Sequence, residues 1–211
     1  MEVKTFTFNP FMENTYVVHS DGKGVIIDPG CYDPAEEAEL VEFIEKEGIE
    51  IEKILNTHGH IDHVLGNYFA KEKYGAPLWI GEHDLQTLKS VEAYAPSYGF
   101  QKYTPAEADH LMKEGDEVSV GNGTLKVLFA PGHAPGHIAF YNEQGGFIIG
   151  GDVLFQESIG RTDLPGGDFD TLMRSIRTQF YSLPENTVVY PGHGGQTSIG
   201  HEKKFNPFCR A

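Results

Sequence analysis

Short segments in which hydrophobic and polar residues alternate open the chain, and this pattern is typical of strands with one buried face. Strands are predicted at residues 3–8, 15–19, 24–27, 51–56 and 78–80. A helix is predicted at residues 34–46, because Ala38, Val41 and Ile44 share one apolar stripe and Gly48 follows as a stop. A second helix is predicted at residues 62–74, after the fourth of these strands.

The second half of the chain repeats the same alternation of elements. Strands are predicted at residues 117–120, 124–129, 138–141, 146–149 and 187–190, and helices at residues 168–183 and 199–206. Residues 82–114 combine a helical start with several prolines and glycines, and they predict a helix followed by an irregular loop. Long loops inside compact domains often act as lids or binding loops. Periodicity alone therefore predicts a mixed α and β protein and no particular architecture.

Length and charge narrow the classes of function. The 211 residues suffice for one sizeable core, and few of them follow His193, so we expect a single domain over residues 1–211. The net charge is −15, with 16 Lys and Arg against 31 Asp and Glu. A nucleic-acid partner needs a basic face, so nucleic acid is a poor substrate prediction. We therefore look for a small-molecule substrate.

The composition also bears on the compartment. No segment reaches the about 20 apolar residues of a membrane span, and the N-terminus lacks the pattern of a signal peptide. We therefore expect a cytoplasmic protein without a membrane partner. The two cysteines, Cys31 and Cys209, do not make a disulfide framework.

Seven imidazole and carboxylate side chains fall in Gly-rich or loop-like segments at predicted strand ends, where scaffolds present chemistry. They are His58, His60, Asp62, His63, His133, Asp152 and His193. Such ligands suit zinc, manganese or iron. In an extended segment, His58 and His60 point to one side, whereas the adjacent Asp62 and His63 diverge. One short segment can therefore supply ligands to two metal positions.

The order His-x-His-x-Asp-His, then single His, Asp and His, resembles the metallo-β-lactamase superfamily, and within it the short glyoxalase II-like hydrolases. The resemblance extends through four further stretches: Ile26-Ile27-Asp28-Pro29-Gly30, Gly150-Gly151-Asp152, Ser158-Ile159-Gly160-Arg161-Thr162-Asp163 and Pro191-Gly192-His193-Gly194. It implies an α/β fold, a four-layer αβ/βα sandwich of two mixed β-sheets flanked by helices. Any one of these histidines alone is more often a core residue, and the complete ordered set carries the argument.

The resemblance also implies a site with two divalent metal ions, zinc first, with iron or manganese as alternatives. It assigns His58, His60 and His133 to the first ion, Asp62, His63 and His193 to the second, and Asp152 to both. A hydroxide between the two ions would be the nucleophile. Asp62 and Asp152 are then the catalytic carboxylates. Asp62 has the alternative of capping the helix that follows it.

Three further residues receive roles outside the predicted ligand set. The resemblance places Asp28 beside the ligand segment as its support, and the alternative is a plain Asp-Pro-Gly turn. It places Arg161 at the glutathione part of a substrate, and the alternative is a structural arginine paired with Asp163 or Asp168. His137 is predicted to be structural.

The function implied by the resemblance is hydrolysis of a small-molecule thioester, for example an S-2-hydroxyacylglutathione, to a hydroxy acid and glutathione. A first alternative is a persulfide dioxygenase with one iron held by His58, His133 and Asp152. A second is a lactonase, and a third is a binding scaffold without catalysis. Asp163 stands where the long glyoxalase II enzymes have an aromatic residue, so we expect a broader thioester specificity. The oligomeric state is not predicted.

Overall fold

The computed structural model of the protein describes all residues from Met1 to Ala211, and its first half forms a six-stranded sheet. The strands, in spatial order, are β1 (Glu2–Phe8), β2 (Glu13–Ser20), β3 (Lys23–Ile27), β4 (Glu50–Leu55), β5 (Leu78–Gly81) and β6 (His110–Met112). Strands β1 to β3 are antiparallel, and β3 to β6 are parallel. The carboxyl ends of β3, β4 and β5 therefore meet at one edge of the sheet, where ligand sites of α/β sheets commonly lie.

Four helices accompany this sheet: α1 (Pro34–Glu47), α2 (Ile61–Val64), α3 (Asn67–Tyr74) and α4 (Leu85–Tyr94). Helix α1 begins at a capping box in which Asp33 and Glu36 satisfy each other's backbone N–H groups, and it ends at Gly48, which adopts a φ of 64°. None of the helices in the structure combines the length and the apolar character that a membrane crossing needs.

The second half forms another six-stranded sheet in the order β14-β13-β10-β9-β8-β7. These strands are β7 (Glu117–Val120), β8 (Gly123–Phe129), β9 (Ile138–Asn142), β10 (Phe147–Gly151), β13 (Val188–Pro191) and β14 (Thr197–Ser198). A small hairpin of β11 (Leu154–Phe155) and β12 (Ser158–Ile159) follows β10. Helix α5 (Phe169–Ser175) continues into a π-helical turn at Ile176–Phe180, and α6 (Ile199–Phe205) lies near the C-terminus. Within this second six-stranded sheet, β10 and β13 are the one parallel pair, and the other neighbours are antiparallel.

Three apolar clusters show how the layers stack. In β3, Val25 and Ile27 belong to a cluster shared by both sheets, and Ile26 belongs to a cluster shared with α1, α3 and α4. In β10, Ile149 joins the cluster between the sheets, and Ile148 joins a third cluster with α5 and the π-helical turn. Successive side chains of these strands thus point alternately to the other sheet and to the helices, and both faces are buried. The layers therefore follow the order helix, sheet, sheet, helix. The predicted four-layer α/β sandwich is confirmed.

The prediction of one continuous helix over residues 62–74 was wrong. The helix is interrupted between α2 and α3 because the backbone of Gly66 lies against the loop that follows β3. The Gly66 N–H donates to the Pro29 carbonyl at 2.7 Å. A Cβ atom on Gly66 would lie 2.5 Å from the Cys31 Sγ atom. This close approach fixes the segment that ends in α2 against the first sheet.

Other differences concern short elements. The sequence did not predict β6, β11, β12 or β14, which are two or three residues long. The helix predicted at residues 168–183 is α-helical only as far as Ser175. The predicted helix and irregular loop within residues 82–114 are present, since α4 leads through a 3-10 turn at Ala95–Tyr98 into a segment without regular structure.

Candidate metal centre

The structure brings six of the seven predicted ligands together in two groups of three. His58, His60 and His133 form one group, and Asp62, His63 and His193 form the other. Within each group, the candidate ligand atoms lie within 4.8 Å of one another. We name them the first group and the second group.

The seventh predicted ligand, Asp152, lies between the two groups. Its Oδ2 atom is 3.4 Å from His133 Nε2 and 3.5 Å from His193 Nε2. Its Oδ1 atom is 3.5 Å from His63 Nε2. One carboxylate thus faces a member of the first group and two members of the second. This is the position that a ligand shared by two metal ions requires.

The ligands come from four places in the fold. The segment after β4 carries four of them, and the loop between β8 and β9 carries His133. Asp152 and His193 follow the parallel neighbours β10 and β13. Gly192 allows the last two to meet, because a Cβ atom on it would overlap the Asp152 carboxylate and lie 2.8 Å from His63 Cε1. The two sheets therefore present their strand ends to one shared cleft.

In four of the five candidate histidines, one ring nitrogen has a partner and the other faces the cleft. The Nδ1 atoms lie 3.0 Å from Thr57 Oγ1 for His58, 3.1 Å from Asp28 Oδ2 for His63, 2.8 Å from the Arg161 carbonyl for His133 and 3.1 Å from the Phe11 carbonyl for His193. His60 instead directs its Nδ1 atom at His133 Nε2, 2.9 Å away. A fixed second nitrogen is the usual arrangement of metal-binding histidines.

The buried polar atoms of the cleft test whether these residues fit a metal ion. His58 Nε2, His63 Nε2 and Asp152 Oδ1 are buried and have no hydrogen-bond partner. Leaving such atoms unpaired costs about 1–3 kcal/mol each, so a native fold satisfies them as a rule. Imidazole nitrogens and carboxylate oxygens are the donors that zinc, iron and manganese accept. The residues therefore fit a site for divalent metal ions.

Electrostatics divide the candidate ligands into two kinds. Burial, together with the neighbouring His133 and His63, lowers the pKa of His60 to about 4. Burial likewise keeps the pKa of His58 well below its usual value. Burial opposes charge on His63 as well, but Asp62 and Asp152 outweigh it and raise the pKa of His63. The first two imidazoles are thus neutral near pH 7, the state in which imidazole binds a metal.

The two carboxylates keep their charge in spite of burial. Burial would raise the pKa of Asp152, but His63, His133 and His193 hold it well below its usual range. The pKa of Asp62 is lowered in the same way by His63 and His193, against the effect of burial. Both candidate ligands are therefore anionic at neutral pH.

Asp28 supports the segment that follows β4. Its carboxylate accepts from the Thr57 N–H at 2.7 Å and the Thr57 hydroxyl at 2.6 Å, and it contacts His63 Nδ1 at 3.1 Å. The Asp28 side chain also lies within 4.8 Å of candidate ligand atoms of His58 and His63. Because both of its oxygens are already engaged, we interpret Asp28 as a support of the ligand-bearing segment.

The remaining predicted residues have clear positions. Arg161 forms a two-pronged ion pair with Asp163, with both nitrogen–oxygen distances at 2.7 Å, and its side chain is 60% exposed. Its carbonyl oxygen contacts His133, so residue 161 borders the cleft through its backbone. Asp62 does not cap α2, whose N-cap is His60, and its Oδ2 atom lies 3.1 Å from His193 Nε2. A substrate-binding role of the Arg161 guanidinium stays a prediction.

The sequence did not identify three buried residues around the cleft. Asp84 accepts hydrogen bonds from Gly59 and Gly136. His137, predicted only as structural, accepts a hydrogen bond from the Asp152 backbone N–H through its Nε2 atom, at 3.0 Å. Glu13 lies 3.7 Å from His63 Nδ1, and burial raises its pKa well above the usual value. The ligand spacing carries no signal for any of the three.

Comparison with known proteins agrees with this geometry. A family model described as metallo-beta-lactamase superfamily matches residues 8–193. The hydroxyacylglutathione hydrolase GloC of Haemophilus influenzae is 35% identical over 214 residues, covering 100% of this chain and 99% of that protein. The solved structure of the B3 metallo-beta-lactamase BLEG-1 has a TM-score of 0.90 and 34% identity, and the match covers 100% of both chains. TTHA1623, solved in a di-iron-bound form, has a TM-score of 0.86 and 36% identity over 98% of this chain and 100% of its own.

The ordered ligands, the four-layer sandwich and these full-length matches point to one family. The chain belongs to the metallo-beta-lactamase superfamily.

Proposed function

We propose that this metallo-hydrolase cleaves thioesters, with S-2-hydroxyacylglutathiones as the leading substrate class. The position of Asp152 between the two groups of candidate ligands is the observation that carries the proposal, because a carboxylate there would contact a metal ion held by either group. The full-length similarity to a protein named hydroxyacylglutathione hydrolase supports the thioester part.

The first group would hold one ion, the second group the other, and Asp152 would contact both. Two divalent ions, zinc first, would supply activated water and a Lewis acid for the substrate carbonyl. The chain itself would keep the centre in order: Thr57 and Asp28 fix the imidazoles of His58 and His63 by hydrogen bonds. Asp62 and Asp152 would contribute two negative charges, which reduce the net charge of the bound ions.

Thioester cleavage does not require a side chain that protonates the leaving group. A thiolate leaves as an anion of a moderately acidic thiol, so its departure does not depend on a proton from the protein. Neighbouring imidazoles hold the pKa values of Asp62 and Asp152 low, so these two carboxylates are poor proton donors at neutral pH. A thioester therefore suits this cleft better than a substrate with a poor leaving group.

Arg161 is the proposed contact for the glutathione part. Its backbone carbonyl borders the cleft and its guanidinium is exposed, and an exposed ion pair such as that with Asp163 contributes little to stability. A substrate carboxylate can therefore replace Asp163 at little cost. We expect Arg161→Ala to raise KM for glutathione thioesters more than for thioesters of small neutral thiols. The matched control is Arg177→Ala, on the π-helical turn, and equal effects on both substrates would remove Arg161 from the site.

Two other activities are candidates for the same cleft. The similarity to the B3 metallo-beta-lactamase BLEG-1 makes β-lactam hydrolysis the second candidate. A persulfide dioxygenase would use iron at His58, His133 and Asp152, and TTHA1623 has been solved with two iron ions.

One parallel experiment separates these activities. Protein purified with its own metal is analysed for zinc, iron and manganese, and is then assayed with S-lactoylglutathione, a β-lactam and glutathione persulfide. We expect thioester cleavage without oxygen uptake. Oxygen uptake with the persulfide, or β-lactam cleavage that exceeds thioester cleavage, would contradict the proposal.

A further inference from the structure

A buried carboxylate outside the ligand set connects two loops of different sheets. Asp84 ends the 3-10 turn Glu82–Asp84 directly after β5, and its side chain is fully buried. Its Oδ2 atom accepts a hydrogen bond from the Gly59 N–H, and its Oδ1 atom accepts one from the Gly136 N–H at 3.1 Å. Gly59 lies in the segment after β4 of the first sheet, and Gly136 lies in the loop between β8 and β9 of the second sheet. Asp84 therefore joins the two halves of the protein.

The two glycines stand among the ligands of the first group. Gly59 separates His58 from His60. Gly136 lies in the same tight loop as His133, whose backbone closes on itself where Gly132 donates to the carbonyl of Ala134. Each segment that delivers a ligand to the first group is therefore attached to the same carboxylate.

Close packing brings the backbones to Asp84. A Cβ atom on Gly59 would lie 2.5 Å from the Leu88 nitrogen, at the start of α4. A Cβ atom on Gly136 would overlap the backbone of His83 and Asp84. Only residues without a side chain let both N–H groups reach the carboxylate. The hydrogen bonds from both loops to Asp84 therefore require glycine at positions 59 and 136.

The charge of Asp84 has no cationic partner among the ion pairs of the structure. The Thr87 hydroxyl donates a third hydrogen bond to it, at 2.9 Å. Burial of a carboxylate without a cation is costly, and hydrogen bonds to the charged form offset that cost. Because the bonds come from backbone groups, any movement of either loop weakens them. Asp84 therefore favours one separation of the loops.

We propose that Asp84 is a positioning residue of the first metal site, which sets the distance between the segment of His58 and His60 and the loop of His133. The first group depends on that distance, because His60 Nδ1 and His133 Nε2 lie only 2.9 Å apart. This inference rests on the proposed metal site and not on the proposed substrate.

The second group has supports of its own. The carbonyl of Asp62 accepts from Asn9 Nδ2 at 3.0 Å, and that of His63 accepts from Asn56 Nδ2 at 3.1 Å. Asp84 contacts neither residue. Loss of the Asp84 carboxylate should therefore weaken metal binding by the first group selectively.

Zinc titration of full-length protein tests this selectivity. Asp84→Asn keeps the size of the side chain but turns one acceptor into a donor that faces an N–H group. We would make it in a His193→Ala background, which retains the first group, and in a His133→Ala background, which retains the second. We expect zinc to bind about 10–100-fold more weakly in the first background, the range for residues that support a ligand. In the second background the affinity should stay unchanged.

Glu202→Gln is the matched control for a general loss of stability. Glu202 is also fully buried, and it accepts from the Glu157 N–H at 2.9 Å and from Asn206 Nδ2 at 2.8 Å. We expect it to lower the unfolding temperature without weakening zinc binding by the first group. Equal losses of affinity in both Asp84→Asn backgrounds, or equal losses for Asp84→Asn and Glu202→Gln, would overturn the proposal.

A milder variant keeps the test decisive should Asp84→Asn not fold. Thr87→Val removes one hydrogen bond from the carboxylate and leaves both backbone bonds in place. We expect a smaller loss of zinc affinity, again confined to the His193→Ala background. Unchanged affinity there would overturn the proposal. Thioester cleavage is measured separately, so failure of the proposed substrate would leave the zinc result intact.

Discussion

The two halves of the protein contribute to the metal centre in different ways. In the first half, one segment after β4 carries four of the seven candidate ligands within six residues, His58 to His63. In the second half, His133, Asp152 and His193 come from three separate strand ends. The first contribution is local and follows from spacing. The second depends on the order of strands in the second sheet and on how the two sheets face each other.

Different contacts hold the candidate ligands in place in the two halves. The first segment is held by Asp28, Thr57 and the close packing of Gly66. The second set is held by backbone proximity, such as the hydrogen bond from the Gly192 N–H to the Gly151 carbonyl at 2.8 Å. Loss of Asp152, which lies between the two groups, should therefore disturb both, whereas loss of a residue that belongs to or supports one group should disturb that group alone.

The strongest test of this comparison removes the side chain that both groups share. Asp152→Ala should lower thioester hydrolysis by more than about 100-fold, because loss of a direct ligand exceeds the effect of losing a supporting residue. The metal content should fall for both ions. Activity and metal analysis of Asp109→Ala, a partly exposed aspartate paired with Lys71, give the control. Normal activity in Asp152→Ala would contradict the two-ion centre.

A smaller change tests the close packing in the second half. Gly192→Ala places a methyl group on the Asp152 carboxylate, so we expect zinc affinity and activity to fall by about 10–100-fold, as for a lost support of a ligand. Gly195→Ala is the control, because a Cβ atom there would meet only Gln156 Oε1 at 3.6 Å. If both variants bind zinc as the wild type does, backbone proximity does not hold this side of the centre.

The pH dependence of the metal-free protein sharpens the contrast between His60 and His193. The pKa of His60 is about 4 in the folded protein because of burial, against about 6.5 when unfolded. The unfolded chain therefore takes up the proton first, and stability is lost as the pH falls from about 6.5 to about 4, by up to about 3 kcal/mol. Urea unfolding should show that His60→Gln reduces this loss.

The contribution of His193 to stability should change with pH in the opposite direction. Burial opposes its charged form, but Asp62 and Asp152 raise its pKa above the usual value. It therefore contributes stability below about pH 6.5, and this contribution disappears as the pH rises through the raised pKa. His193→Gln should thus destabilise the metal-free protein more at pH 6 than at pH 9. The same pH trend for both variants would remove the electrostatic distinction between the groups.

Spacing singled out the seven candidate ligands because each one lies in a Gly-rich or loop-like segment of the sequence, and the structure brings their side chains together. The place of Asp28 beside the segment after β4 came from the resemblance to the superfamily, and the structure puts its carboxylate against Thr57 and His63. The four-layer architecture needed the resemblance to the superfamily, because the alternation in β3 or β10 does not specify which sheet faces which.

The residues that sequence reasoning missed act over long distances in the chain. Asp84 matters only because the turn after β5 meets Gly59 and Gly136, and no periodicity records that meeting. The break before α3 depends on contact between Gly66 and the loop at Pro29. An isolated helical pattern cannot contain this information, since tertiary packing overrides local propensity.

Calorimetric titration of zinc into the metal-free wild-type protein counts its metal sites. We expect two equivalents of zinc per chain, one for each group of candidate ligands, with Asp152 shared between them. A single equivalent, or none, would rule out the two-ion centre.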